Sequence, residues 1–227
     1  MDTSGESLLS IICDLVVLAL FVNTGIRMLP ATRPFPWLAL VVTVVVGVPS
    51  LLQPVFPQLT DALARDPHAT LAQGQWWRIL TALLAQDGGE VAAVFNLIVV
   101  TLVLVFGSWI WGGRVWGQWL TLALFLVPSI VLNLLAVAWG QTGGGSSFAS
   151  DGLIFSVFGV ALLIGTRDAA APSRVGTIVV RVSAALASAI GIVLVIAGDA
   201  HGVSMLLGLA LGLIANQLPE RAKRVQG

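Results

Sequence analysis

Two short polar segments, each at the start of an apolar stretch, carry most of the residues in this chain that could do chemistry. The first is a glycine-rich run that continues through Ser147, Ser150 and Asp151. The second is Asp199-Ala200-His201, and its histidine lies fifty residues after Asp151. A serine beside a histidine suits nucleophilic catalysis, because the imidazole can take the hydroxyl proton. A carboxylate beside a histidine suits an ion pair or a proton relay instead.

The composition places both segments in an integral membrane protein. Of the 227 residues, 57% are hydrophobic and 10% are charged, and the mean hydropathy is +0.98. The apolar runs have the length of membrane helices and lack the roughly ten-residue alternation of outer-membrane barrels. The formal net charge of zero argues against nucleic acid as a partner. Because Cys13 is the single cysteine, we expect no disulfide or paired-thiol metal site. Separately, we expect no metal and no cofactor.

The apolar runs predict an all-α bundle with seven membrane spans. The predicted spans are residues 8–28, 36–54, 91–110, 116–138, 151–166, 175–197 and 201–217. The one long polar connection is 55–90, whose apolar part, 79–85, is too short to cross a bilayer. Trp76 and Trp77 fit the headgroup region, where an amphipathic ring contacts both phases. We therefore expect this part of the connection to be interfacial or re-entrant.

The basic residues predict which end of the bundle faces the cytoplasm. If the N-terminus lies outside, nine of the eleven Lys and Arg residues are cytoplasmic, and only Arg65 and Arg78 are outside. The positive-inside rule favours this orientation, which also makes the C-terminus cytoplasmic. It places the connection 55–90 and both polar segments on the outer side.

Small residues form a matching stripe on each of two predicted spans, the one that begins at Asp151 and the one that begins at His201. The stripes are Gly152, Ser156 and Gly159, and Ser204, Gly208 and Gly212. Small residues let membrane helices approach closely. We therefore expect these spans to pack together and to bring Asp151 or Ser150 near His201. The same pattern also fits stripes that serve packing alone, with His201 hydrogen-bonded to a neighbour.

Several stretches of the chain resemble the rhomboid family of intramembrane serine proteases. They are Trp77-Arg78 within 74–81, Phe95-Asn96-Leu97, the segment 152–159, the segment 165–168 (Gly-Thr-Arg-Asp), and Ala200-His201 with Ser204 and Gly208. Their order and spacing are similar to the family's over residues 36–217. The resemblance implies a six-helix rhomboid-like domain there, an extra N-terminal helix with its linker in 1–35, and a short basic cytoplasmic tail in 218–227.

The resemblance implies roles for four positions, and two of them hold an unsuitable residue. In the family, a serine on the fourth core helix attacks the peptide, a histidine on the sixth activates it, and Asn and His on the second stabilise the oxyanion. By position, His201 would be the base and Asn96 an oxyanion donor. Asp151 occupies the position of the nucleophile. Ala92 occupies the second oxyanion position, and its side chain cannot donate a hydrogen bond.

Asp151 does not suit peptide hydrolysis, because attack by a carboxylate would give an unstable anhydride. Two other roles are open: a pair with His201 that holds two helices together, or a first-turn anion with Ser150 or Ser147 at the N-cap. Catalysis would require a serine to reach His201. Ser150 lies one residue from the nucleophile position, about 100° around a helix, so that a local bulge would be needed. Ser147 is the other candidate, because it fits a loose Gly-x-Ser pattern, but it does not agree with the family's downstream residues.

We therefore expect a rhomboid-like protein without proteolytic activity that binds transmembrane segments of client proteins in the lipid bilayer of a bacterial-type plasma (inner) membrane. The first alternative is an active rhomboid intramembrane serine endopeptidase with a Ser150–His201 dyad and Asn96 as oxyanion donor. The second is a proton-coupled transporter that uses Asp151 and His201. Transporters often carry internal repeats, and none is evident in this sequence.

Overall fold

The computed structural model describes residues 8–86, 89–114, 116–164 and 173–218. Within these ranges the regular elements are helices, and an isolated β-bridge joins Arg65 and Gly143. The helices are α1 Leu8–Met28, α2 Trp37–Leu52, α3 Gln58–Leu63, α4 Pro67–Ala72, α5 Arg78–Thr81, the 3-10 helix Ala82–Leu84, α6 Gly89–Trp111, α7 Gln118–Ala138, α8 Ser147–Leu163, α9 Arg174–Ile196 and α10 Ala200–Ala215. The motif 165–168 and most of the tail, 219–227, lie outside the described residues.

Four of these helices are long and apolar enough to cross a membrane. They comprise Ile11–Met28, Val91–Trp111, Gln118–Ala138 and Arg174–Ile196. The apolar helices α2, α8 and α10 are shorter, with 16, 17 and 16 residues. A bilayer core about 30 Å thick takes about 20 helical residues. The all-α, membrane-embedded fold is thus confirmed, whereas the number of seven spans stays a prediction.

The helix α8 forms the centre of the bundle. Every residue from Phe148 to Ala161 is buried, and α8 packs against α1, α6, α7, α9 and α10. Apart from Asp151, its residues are small or apolar around the whole circumference, which is the pattern of a helix surrounded by other helices. Its length is therefore matched to its helical neighbours and not to the bilayer.

The helices α8 and α10 are in backbone contact at their small residues. A Cβ atom added to Gly208 would overlap the carbonyl oxygen of Gly152, and one added to Gly212 would overlap that of Ser156. A Cβ atom at Gly159 would lie 2.6 Å from the carbonyl oxygen of Leu209. Only glycine permits this approach, so the two stripes of small residues fix the distance between the helices.

The connection between α2 and α6 folds onto one end of the bundle through a buried arginine. The Arg65 guanidinium donates to the Asn133 side chain on α7 and to the carbonyl oxygens of Gln141 and Thr142. The backbone of Arg65 also pairs with that of Gly143. These bonds tie the connection to the loop that precedes α8, and thus help to set where α8 begins.

Candidate functional site

The helix α8 begins at Ser147, one turn before Asp151. The interpretation of Asp151 as a first-turn anion with Ser150 or Ser147 at the N-cap is therefore wrong. Ser146 precedes the helix, and its carbonyl oxygen already accepts a hydrogen bond from the Ser150 amide at 3.1 Å. Tertiary contacts cause this early start, because the amide of Gly145 donates to the Ala82 carbonyl oxygen at 2.8 Å.

Glycine is required where this loop passes the 3-10 helix. A Cβ atom on Gly144 would lie 2.6 Å from the carbonyl oxygen of Ala82 and 2.7 Å from the Cβ atom of Ala85. Gly143 has a φ angle of 110°, which side-chain-bearing residues rarely adopt. The glycine-rich run therefore acts as a close-packed turn into α8.

Asp151 and His201 form the central contact of the site. Asp151 Oδ2 lies 2.6 Å from His201 Nδ1, and the two side chains are 10% and 12% exposed. When the Asp151 carboxylate is ionised it only accepts hydrogen bonds, and the imidazole then donates from Nδ1. A short bond of this kind between groups withdrawn from water is strong, and removing either partner leaves the other uncompensated.

The surroundings of His201 fix its position on α10. Asp199 is the N-cap of that helix, and its Oδ1 accepts a hydrogen bond from the His201 amide at 2.9 Å. The ring of Phe148 lies 4.7 Å from the imidazole, measured between centroids. The Ser204 hydroxyl donates to the Phe148 carbonyl oxygen. The first turns of α8 and α10 thus hold one another at the level of the Asp151–His201 pair.

Neither candidate serine is hydrogen-bonded to the histidine. The Ser150 hydroxyl is buried and donates to the Ser146 carbonyl oxygen at 3.2 Å, within its own helix. Because α8 is already helical at this point, Ser150 is rotated by about 100° from Asp151. Ser147 is the first residue of α8 and lies four positions before Asp151. The local bulge that a Ser150–His201 dyad would need is absent from this described segment.

Asn96 belongs to a different polar network. Its side-chain amide donates to Gln86 Oε1 at 2.9 Å, and the Gln86 amide donates to the Ser146 hydroxyl at 2.9 Å. Gln86 was not singled out in the sequence, since a glutamine in a polar connection gives no distinctive signal. Ala92, one turn before Asn96 on α6, is half-buried. The network braces the start of α8 against α6 and the connection before it.

The loop motif Trp77-Arg78 has a structural role. Arg78 Nη1 donates to the carbonyl oxygens of Asp61 and Ala64, at 2.8 and 2.7 Å. Arg78 Nε donates to the Gln75 side chain at 2.6 Å. The arginine therefore closes the end of α3 onto α5, while Trp77 is 56% exposed at the surface of the bundle.

Asp14 on α1 is a third ionisable residue at the site, and the sequence analysis missed it. The nearest ligating atoms of Asp14, Asp151 and His201 all lie within 4.8 Å of one another. The available signal was a carboxylate inside an apolar run, which is rare without a function. One carboxylate oxygen and one ring nitrogen of this group are joined directly by the Asp151–His201 bond. The group therefore consists of one hydrogen-bonded pair between α8 and α10, with the carboxylate of Asp14 on α1 close to it.

Comparisons with models of protein families, with curated proteins and with solved structures found no match to this chain. The rhomboid resemblance therefore depends on the motifs quoted above. Within the described residues, Asn96 lies on α6, Asp151 on α8 and His201 on α10, and α8 packs against both of the other helices. The roles implied by the resemblance remain proposals.

Proposed function

We propose that this chain is a rhomboid-like membrane protein without proteolytic activity, which binds transmembrane segments of client membrane proteins. The observation that carries the proposal is the 2.6 Å contact between Asp151 and His201. By the resemblance Asp151 holds the sequence position of the nucleophile, and its carboxylate, not a serine hydroxyl, is hydrogen-bonded to the histidine. In this proposal the pair holds α8 and α10 together and contributes a polar group to a helix-binding face.

An Asp–His pair also occurs in serine hydrolases, where the carboxylate orients the base through Nδ1 and the serine bonds to Nε2. That arrangement needs a hydroxyl at the second ring nitrogen. In the described part of the chain, no hydrogen bond joins a serine or threonine hydroxyl to His201. The Ser150 hydroxyl bonds within α8, and Asn96 bonds to Gln86. These bonds support the non-proteolytic reading over a Ser150–His201 dyad.

The proposed topology has seven spans, an outer N-terminus and a cytoplasmic C-terminus in a bacterial-type plasma membrane. The helices α2, α8 and α10 would complete the six-helix domain of residues 36–217. A 16-residue helix is about 24 Å long at about 1.5 Å per residue. Short helices fit where the bilayer thins beside the protein, or where other helices surround them. A thinned bilayer would also ease the lateral approach of a client helix.

Helix binding can be measured directly in nanodiscs that contain the full-length protein. The probes are two fluorescent single-span peptides, one entirely of leucine and one with a single asparagine in its outer third. Energy transfer from the labelled protein to each peptide measures binding. The proposal predicts an affinity for the asparagine peptide at least fivefold higher than for the leucine peptide. The preference should be lost in Asp151→Ala combined with His201→Ala. Equal affinities for both peptides would contradict the proposal.

A proton-coupled transporter is a second candidate, favoured by the grouping of Asp14, Asp151 and His201 from three helices. Chains of buried carboxylates and histidines serve as proton relays in transporters. Liposomes with a pH gradient and an internal pH dye distinguish the candidates. If the protein is a transporter, we expect a proton flux that Asp14→Asn reduces. If it only binds helices, the rate of proton flux should equal that of empty liposomes.

A further inference from the structure

The helix α1 presents one narrow face to the bundle. Asp14, Val17, Phe21 and Thr24 follow one another at helical spacing, and the last three are 1%, 0% and 0% exposed. The opposite face carries large apolar side chains that are about half exposed, for example Leu15 at 51%. One stripe therefore packs against protein while the rest of α1 faces lipid.

This stripe lies in a groove between α6 and α9. The ring of Phe21 is 5.8 Å from that of Phe106 on α6, and a Cβ atom on Gly25 would lie 2.5 Å from the same Phe106 ring. On the other side, the Asn23 amide donates to the Ser183 hydroxyl on α9 at 3.5 Å. The helices α6 and α9 do not pack extensively against each other. The helix α1 packs against both of them and against α8. Thus α6 and α9 form the two sides of the groove, and α8 forms its base.

Asp14 brings α1 to the candidate site. Its carboxylate lies within 4.8 Å of the ligating atoms of Asp151 and His201. It is also three residues before Val17 on the buried stripe, so it belongs to the face that fills the groove. A membrane helix that entered between α6 and α9 to reach the pair would therefore have to take the place of α1.

The packing of α1 is also the least extensive among the long spans. In its apolar window, 22% of the residues are buried, against 33%, 50% and 33% in the other three. It is connected to α2 by residues 29–36, which include Pro30, Pro34 and Pro36 and form no helix. Its second half is held, because Pro34 and Phe35 accept hydrogen bonds from Trp109 and Gln118. A movement of α1 relative to α2 would therefore be taken up by residues 29–32.

We propose that α1 occupies the groove in which a client transmembrane helix binds, and that the client displaces it. This inference rests on the proposed helix-binding function. Because the client takes the place of α1, it should present a similar face: a single membrane helix with an apolar stripe that includes an aromatic residue. One hydrogen-bonding side chain in its outer third would take the place of Asp14 beside His201. In the resting protein α1 protects the polar pair from lipid.

The test uses the full chain in nanodiscs and a fluorescent synthetic peptide of residues 8–28 as the probe. Asn23→Cys and Ser183→Cys, introduced together with Cys13→Ala, allow a disulfide to lock α1 onto α9. We expect peptide binding to the reduced protein and at least a tenfold weaker affinity after oxidation, restored by reductant. The single variant Asn23→Cys with Cys13→Ala, treated in the same way, should be insensitive to oxidation.

A second pair of variants changes the docking of α1 without a cross-link. Gly25→Leu places a side chain against Phe106 and should raise the affinity for the peptide at least fivefold, because the internal helix competes less well. Ala19→Leu creates the same side chain at an exposed position of the same helix and should change nothing.

The outcomes separate the two proposals. Equal peptide affinity in the locked and reduced forms, with no effect of Gly25→Leu, would overturn displacement of α1 and leave helix binding intact. If no form binds the peptide, and the asparagine peptide also fails to bind, the proposed function falls together with the inference.

Discussion

The helices α10 and α1 both bring a side chain to the site, but they are held against the bundle in different ways. The backbone of α10 touches that of α8 at Gly208 and Gly212, so the separation of these helices has one allowed value. The helix α1 is held by a few side chains, chiefly Phe21, and its outer face is exposed. In the proposed function, α8 with α10 is therefore a fixed frame, and α1 is a wall of the site that a client replaces.

The largest effect should come from a side chain at the contact between α8 and α10. Gly212→Leu would place its Cβ atom on the carbonyl oxygen of Ser156. We expect a loss of at least about 3 kcal/mol in the free energy of unfolding, at the upper end of the cost of overpacking. Steric trapping in bicelles measures this quantity. Ala210→Leu, on an exposed position of the same helix, should cost little, and equal losses in both variants would contradict the fixed frame.

The next effect concerns the polar pair within this frame. His201→Ala should cost about 3–5 kcal/mol, the range for removing one partner of a buried ion pair. Adding Asp151→Ala should restore part of that stability, because the carboxylate no longer lacks its partner. A double-mutant cycle measures the coupling energy. Strictly additive losses would show that the pair does not stabilise the contact of α8 with α10.

A smaller effect is expected on the replaceable wall. Phe21→Ala removes an aromatic anchor of α1, but a detached α1 would expose the ring to lipid and not to water. The loss should therefore fall below the roughly 3–5 kcal/mol seen for phenylalanine in water-soluble cores. Hydrogen exchange should increase in α1 while α8 and α10 remain protected. Ile12→Ala, on the lipid side at 50% exposure, serves as the control, and global exposure in Phe21→Ala would argue against a separable wall.

The smallest effect should follow Ser150→Ala. The hydroxyl donates to the Ser146 carbonyl oxygen within α8, and loss of one such bond costs about 1 kcal/mol or less. Unfolding and binding of the helix probes should both stay close to the values of the unaltered protein. A marked loss of binding with normal stability would give Ser150 a functional role that this account does not assign.

Much of the helical framework could be predicted from the sequence. A helix was expected at 8–28 and is Leu8–Met28, and another was expected at 201–217 and is Ala200–Ala215, although its role as a span stays a prediction. The two stripes of small residues also indicated that α8 and α10 pack together. These features are local: hydrophobic length gives the helices, and the spacing of glycines gives a close-packing face.

The start of α8 and the position of α1 depend on tertiary contacts and could not be predicted in this way. A run of glycine and serine does not indicate where a helix begins, and the hydrogen bonds of Gly145 and Ser146 with Ala82 and Gln86 decide it. Asp14 has no sequence neighbour among the site residues. Only the docking of α1 between α6 and α9 brings it to the pair.

The central claim is that Asp151 and His201 form a binding and packing pair in place of a catalytic serine and its base. Fluorophosphonate labelling of the purified protein in a bilayer tests it most directly, with an active rhomboid protease labelled in parallel. The account predicts no labelling above that of Ser150→Ala, Ser147→Ala or His201→Ala. Labelling of the unaltered protein that disappears in both Ser150→Ala and His201→Ala would reveal an activated serine and contradict the account.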